Sequence, residues 1–332
     1  MSAPFDVTAI GNAIVDVISP VAPEFLAREG LISGSMSLVD EARADELYAR
    51  MPPGVEASGG SAANTVAGVA SLGGRAAFIG KVARDELGEI FAHDIRAMGA
   101  RFETPFLVGG PATARCLVNV TPDGQRTMST YLGACVELAA ADVDPDLIEG
   151  AQIVYLEGYL FDPPRAREAF AKAAGLARAR GRKIAFSLSD GFVVDRHRAA
   201  LLGFIETQVD VLFANADEIS ALFKTKDVEA AQTAIRGRVE IAAVTRGAEG
   251  SVILTAGETI SIAADAVTAV IDTTGAGDQY AAGFLYALAR GRDLTACGAL
   301  GSMAAAEVIS HYGPRPGQSL AQRALARGLL AA

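Results

Sequence analysis

The segment Asp272-Thr273-Thr274-Gly275-Ala276-Gly277-Asp278-Gln279-Tyr280 carries the densest chemistry in the chain. It opens an alanine-rich stretch, residues 276–289, that reads as a helix. Glycines just ahead of a helix let successive backbone N–H groups point together at an anion, and the helix dipole adds to the pull. Asp278, in the first turn, suits the helix dipole by itself. Beside an anion hole it has a second role, as base for a hydroxyl nucleophile. A glycine-rich turn with a capping aspartate is the plain alternative.

A second segment reads Ser58-Gly59-Gly60-Ser61-Ala62-Ala63-Asn64-Thr65, followed by Leu72-Gly73-Gly74 and Gly80-Lys81-Val82. Its glycine pair permits close backbone approach to a ligand, and Asn64 falls in a first helical turn. Small-residue helix packing is the alternative. No GxxxxGK[ST] string occurs, which excludes a P-loop kinase. No GxGxxG follows the first strand, and Tyr280 stands where a third glycine would follow Gly275 and Gly277, which weakens a dinucleotide-binding reading.

The elements that must hold these segments alternate. Short apolar runs at residues 5–11, 76–82, 152–156, 183–188, 209–213, 240–245 and 251–254 read as strands. A further apolar run at 266–271, read as a strand, leads into the glycine-rich segment. Helical patterns follow at 86–98 behind Asp85, at 163–180 behind an expected Asp162 cap, and at 215–223, 276–289, 294–309 and 319–330. Such alternation implies an α/β fold, with a mostly parallel central sheet flanked by helices. Residues 13–20, 35–58 and 101–132 break the rhythm with β-rich runs, one pair joined by the turn signal Thr121-Pro122-Asp123-Gly124. They read as a small β-sheet lid added to one α/β domain over residues 1–332.

Composition sets the outer limits. With 51% hydrophobic and 20% charged residues, the 332-residue chain has ample material for a core and is not a disordered chain. No apolar run reaches the ~18 residues that span a bilayer. A net charge of −10 argues against a nucleic-acid partner, though not against a small anion in a locally positive pocket. Cys116, Cys135 and Cys297 form no CxxC pair, and the three histidines are scattered, so neither a disulfide framework nor a zinc site is expected. The N-terminus shows no secretory pattern, so the cytoplasm is the expected location.

Taken together, the two glycine-bearing segments resemble the signatures of the ribokinase-like (PfkB) carbohydrate kinase family, with further matches in the family's order from residue 5 to about 317. The resemblance implies ATP and Mg²⁺ as cofactors and an alcohol acceptor. It implies that Asp278 takes the acceptor proton, that Gly275, Ala276 and Gly277 amides hold the phosphoryl charge, and that Arg126 swings from the lid onto the phosphates. It assigns the acceptor to Asn12, Asp16, Gly59, Gly60, Ser61 and Asn64, the two oxygens of Asp16 suiting a vicinal diol. Asn215-Ala216-Asp217-Glu218 resembles a motif that organises Mg²⁺ through water, with Asn215 and Glu218 as the key pair; a plain helix cap is the alternative. Thr245, Gly247 and Thr274 fall where the family contacts nucleotide. Some members bind a monovalent cation such as K⁺, here at Asp272, Thr274 and residues 309–313. Gly11-Asn12-Ala13-Ile14-Val15-Asp16 is closest to the bacterial adenosine kinase subgroup. Met36, Met128, Leu132, Leu160 and Phe161 are the expected apolar slot for a base, with ordinary lid core as the alternative. Adenosine is thus the favoured acceptor and a sugar the alternative; a non-catalytic sensor and an NAD-dependent enzyme are further alternatives. The family includes both monomers and homodimers.

Overall fold

Residues 3–331 are described in a computed structural model. Nine strands form one sheet in the spatial order Thr259–Ile262, Ser251–Leu254, Ile241–Thr245, Val211–Asn215, Lys183–Ser187, Ala151–Glu157, Phe5–Ile10, Ala76–Ile79 and Arg101–Phe102. All neighbours run parallel except the two pairings made by Ser251–Leu254. The strands are apolar on both faces because helices cover both. On one face, helices Ser61–Ser71, Ala276–Ala289 and Leu294–Val308 pack Val66, Phe284 and Leu300 against the sheet. On the other, Pro164–Ala179, Gly191–Gln208 and Ala216–Phe223 contribute Phe170, Leu201 and Ile219.

The winding order creates the site's location. Phe5–Ile10 pairs with Ala76–Ile79 on one side and with Ala151–Glu157 on the other. The chain fills the first flank, then returns to build the second. Helices therefore diverge at this point, leaving a crevice beyond the carboxyl ends of the strands.

Five more strands form a second sheet, in the order Met36–Leu38, Arg126–Tyr131, Ala114–Val120, Ile14–Pro20 and Val55–Gly59. The chain enters it only three residues after leaving Phe5–Ile10, so the sheet stands at the mouth of the crevice. Alternation divides its residues. Asp16, Val118 and Met128 face the crevice, while Val17 and Leu117 pack on Leu47 of helix Glu41–Arg50.

Three local expectations are corrected. Arg101–Phe102 extends the large sheet by pairing with Ala76–Ile79, so the second sheet draws nothing from residues 101–102. Asp162 does not cap a helix: Pro163 is the cap residue of Pro164–Ala179, and the Asp162 carboxylate instead accepts from Arg196 and His197. Residues 266–271 form no strand, because Thr259–Ile262 already closes the sheet edge and the chain then crosses the strand ends. Ala266, Val267 and Val270 line a cavity there instead.

Candidate active site

Carboxyl ends of the parallel strands supply one wall of a cleft of about 380 Å³: Ser187, Asn215 and Thr245 line it from three successive strands. Thr273 to Asp278 form its floor, and the second sheet its roof, through Ile14, Asp16, Val118, Arg126 and Met128. Gly275 starts helix Ala276–Ala289 in the left-handed region, at φ 78°. Any Cβ there would also sit 2.6 Å from the Pro314 carbonyl oxygen, so both conformation and packing demand glycine. The Ala276 amide turns back onto the Thr273 carbonyl at 3.2 Å. Gly275, Gly277 and Asp278 amides make no such bond, which leaves them as the donors of this helix start open to an anion.

Asp278 points from that first turn onto the second glycine-bearing segment. Its Oδ1 accepts from Ser61 Oγ at 2.6 Å and its Oδ2 from Asn64 Nδ2 at 3.0 Å. Segments more than 200 residues apart thus meet at one carboxylate. Burial pushes the Asp278 carboxyl up from its ordinary value, opposed by those two hydrogen bonds. Asp16 faces the same space. Burial raises it to about 6, with Arg315 and Arg126 opposing and Asp278 adding to the rise. Gly59 leaves room for it, since a Cβ at 59 would lie 2.4 Å from Asp16 Oδ2. Gly59 therefore shapes the Asp16 side of the cleft, whereas Gly60, Ser61 and Asn64 line it.

The Arg126 side chain is largely buried in the roof. Its guanidinium is ion-paired with Asp272, and its Nη1 donates to Thr274 Oγ1 at 2.8 Å, tying the roof to the glycine-rich floor. Asp272 also accepts from the Thr274 and Gly313 amides, and the Ile309 carbonyl accepts from Ile271. Asp272 and the Ile309 carbonyl, two of the groups expected at a monovalent-cation site, thus already accept from protein donors.

Asn215 and Glu218 form a reciprocal capping box. Asn215 Oδ1 accepts from the Glu218 amide at 2.8 Å, and Glu218 Oε2 from the Asn215 amide at 2.9 Å. Capping and site residency coincide here, because both side chains line the cleft. Burial pushes Glu218 up to about 7, with Asp190, Asp217 and Asp278 adding to the rise. Thr245 borders the cleft and, with Gly247, an adjoining apolar cavity of about 520 Å³.

The family model of the pfkB carbohydrate kinases matches residues 30–320. The chain belongs to the pfkB family of carbohydrate kinases. It is therefore a phosphotransferase. It is similar to the crystal structure of adenosine kinase from Sinorhizobium meliloti, at 51% identity and a TM-score of 0.92, over 98% of this chain and 100% of that one. It is also similar to a probable sugar kinase protein from Rhizobium etli, at 49% identity and a TM-score of 0.94, over 99% and 100%. Adenosine kinase of Saccharomyces cerevisiae is 27% identical over 95% of this chain and 97% of its own length.

Several expected residues of this pfkB kinase stand apart from the cleft. Met36 shares a sheet face with Met128, its register partner, but lies on the edge strand and is 43% exposed. Leu132 leaves the second sheet at the start of a 3₁₀ turn and does not line the cleft. Leu160 and Phe161 are buried under the large sheet, in ordinary core. Asn12 turns inward. Its Nδ2 donates to Glu157 at 2.8 Å, and Glu157 also accepts from the Ala62 amide at 2.8 Å. Glu157 ends the strand across the crevice and joins both acceptor segments; burial pushes it up to about 7. It escaped sequence reasoning, although its place at a strand end beside the winding switch was a usable signal. Arg315 and Tyr159, which also face this region, carried no local signal at all.

Proposed function

We propose that this kinase transfers the γ-phosphoryl group of ATP to the 5′-hydroxyl of adenosine, forming AMP. The observation that carries the reading is the two-sided cleft. Its roof carries an apolar patch (Ile14, Ile18, Val118 and Met128), and Asp16 of that roof lines the same cleft as Asn64 and Asp278. A flat base suits the patch, and a ribose diol suits the polar trio. Likeness to the Sinorhizobium enzyme, at 51% identity, supports the same acceptor.

In this reading Asp16 and Asn64 hold the ribose hydroxyls, and Asp278 takes the 5′-hydroxyl proton as the oxygen attacks phosphorus. Gly275 and Gly277 amides stabilise the charge on the transferring group. Arg126 leaves Asp272 for the phosphates once nucleotide enters, so the second sheet serves as a lid on one α/β domain. Thr245, Gly247 and Thr274 border the nucleotide side. Asn215 and Glu218 fit a magnesium ion held through water, since a single carboxylate at a helix start suits a metal that keeps several waters. Magnesium bound there with ATP would neutralise phosphate charge.

A sugar acceptor is the second reading, favoured by the likeness to the Rhizobium protein and by the polar trio of Asp16, Asn64 and Asp278, which would serve a free sugar equally. ATP consumption measured with adenosine, ribose, fructose 6-phosphate and keto-deoxygluconate separates the two. Adenosine is expected to give the highest kcat/KM. Turnover of a sugar without turnover of adenosine rejects the nucleoside reading.

A further inference from the structure

Arg315 lies on the loop after helix Leu294–Val308. That loop is anchored at the phosphate cradle. Gly313 donates to Asp272 at 2.9 Å, the Pro314 carbonyl accepts from Gln279 Nε2 at 3.0 Å, and Pro314 abuts Gly275. The Arg315 side chain nonetheless reaches the acceptor side. Its Nε donates to Asn64 Oδ1 at 3.3 Å, and its Nη1 to Ser58 Oγ and to Met98 Sδ. Its Nη2 is shut off from solvent without a hydrogen-bond partner.

We infer that Arg315 is a positioning residue for the acceptor: it locks the amide of Asn64 and supplies the positive charge that keeps Asp16 ionised. Two features of the geometry carry this. Guanidinium can only donate, so it forces Oδ1 of Asn64 to its own side and turns Nδ2 onto Asp278. A flip of that amide would set two donors against each other and leave the Asp278 carboxylate one hydrogen bond short. Secondly, all the hydrogen-bond partners of Arg315 are neutral, so no partner cancels its charge. That charge acts through space on Asp16 and on Asp94 of helix Glu86–Ala97. Burial lowers the Arg315 guanidinium to about 10, still charged at neutral pH.

The groups facing Asp16 are Arg315 from this loop, Cys116 from the neighbouring strand of the second sheet, Arg126 from the strand beyond it, and Asp278 from the helix beneath. Of these, Arg315 opposes the burial of Asp16 most strongly. Without it the carboxyl would stay protonated further into the neutral range and lose an acceptor oxygen. The loop thus connects the phosphate cradle to the acceptor residues through one side chain. The inference rests on the acceptor reading of Asp16 and Asn64 given above.

The test uses Arg315→Met and Arg315→Lys in the full chain, each checked for folding by thermal unfolding. Nuclear magnetic resonance of ¹³C-labelled Asp16 in the ligand-free protein gives its titration midpoint whatever the acceptor is. The midpoint is expected to rise by ~1 unit or more in Arg315→Met and to return toward wild type in Arg315→Lys. With the acceptor that the wild type turns over, kcat/KM for acceptor at pH 6–7 is expected to fall ~10–100-fold in Arg315→Met, with KM for ATP within about threefold. The acid limb of its pH profile moves to higher pH, and Arg315→Lys recovers that limb but not the full kcat/KM. An unmoved Asp16 midpoint, or equal losses for ATP and acceptor, overturns the inference. If Arg315→Met does not fold, the midpoint in Ser58→Ala, which frees one anchor of the guanidinium, decides: a rise supports the inference and none overturns it. Should the wild type use no acceptor of the panel, the functional reading fails by itself, and the ligand-free titration still decides on Arg315.

Discussion

Replacing Asp278 by asparagine separates proton abstraction from everything else this side chain does. The carboxylate accepts from Ser61 Oγ at 2.6 Å and from Asn64 Nδ2 at 3.0 Å. An asparagine can keep both contacts. Its oxygen accepts from Asn64, and its amide donates to Ser61, whose hydroxyl rotates and accepts. The substitution also removes a charge whose burial is unfavourable, as the raised carboxyl indicates. Folding stability should therefore stay within ~1 kcal/mol of wild type. Catalysis should not: a general base contributes ~10²–10⁴ in rate, or about 2.7–5.5 kcal/mol of barrier. The assay is coupled ADP release with the acceptor saturating, beside calorimetric titration of ATP and acceptor and thermal unfolding. The expected result is a kcat reduced at least ~10²-fold with both ligands still bound and the melting transition in place. Near-wild-type turnover in that folded, ligand-binding variant refutes the base assignment.

Asp16→Ala should weaken acceptor binding far more than ATP binding in calorimetry; equal losses would remove Asp16 from the acceptor side. Because Asp16 is raised to about 6 and must be ionised to grip a diol, wild-type kcat/KM for acceptor should climb as pH rises through about 6, and a flat profile between pH 5 and 7 would contradict it. Arg126→Met unties the roof from Asp272 and Thr274, and kcat should fall ~10-fold or more with acceptor affinity near wild type; an unaltered kcat would leave Arg126 a structural tie only. Glu157, ordinarily 4.5 and raised to about 7, keeps in the native state a proton that the unfolded chain has lost. Its contribution to wild-type stability is thus full below pH 4.5 and declines as pH rises toward 7. The stability of Glu157→Gln relative to wild type should accordingly increase over pH 5 to 7, and parallel denaturation curves would show that Glu157 does not titrate there.

What was legible in the sequence was local. Asp272 to Asp278 announce a helix start behind glycine because the signal lies within seven consecutive residues, and the same holds for the Asn215–Glu218 capping box. The alternating pattern led to the layered sheet for the same reason. Failures came where the deciding partner is distant. Residues 266–271 are apolar enough for a strand, yet no open sheet edge awaits them. Leu160 and Phe161 look like a base slot until the fold turns them under the sheet. Glu157 and Arg315 belong to no motif, and only the closing of the crevice gives them Asn12, Ala62, Asn64 and Ser58 as partners.

The same locality would let a chain of net charge −10 meet the polyphosphate of the proposed reaction. Total charge matters at a distance, where salt screens it. At the cleft the relevant terms are a few ångströms away: free amides of one helix start, the Arg126 guanidinium in the roof and Arg315 behind the acceptor residues. Each cation is held by residues that also define a binding surface, Arg126 by Asp272 and Thr274 of the cradle, Arg315 by Asn64 and Ser58 beside it. Moving either one must therefore disturb the geometry of that surface as well as its potential. Charge and position are coupled in this site, which is why the lysine variant of Arg315 is expected to restore the pH profile without restoring the full rate.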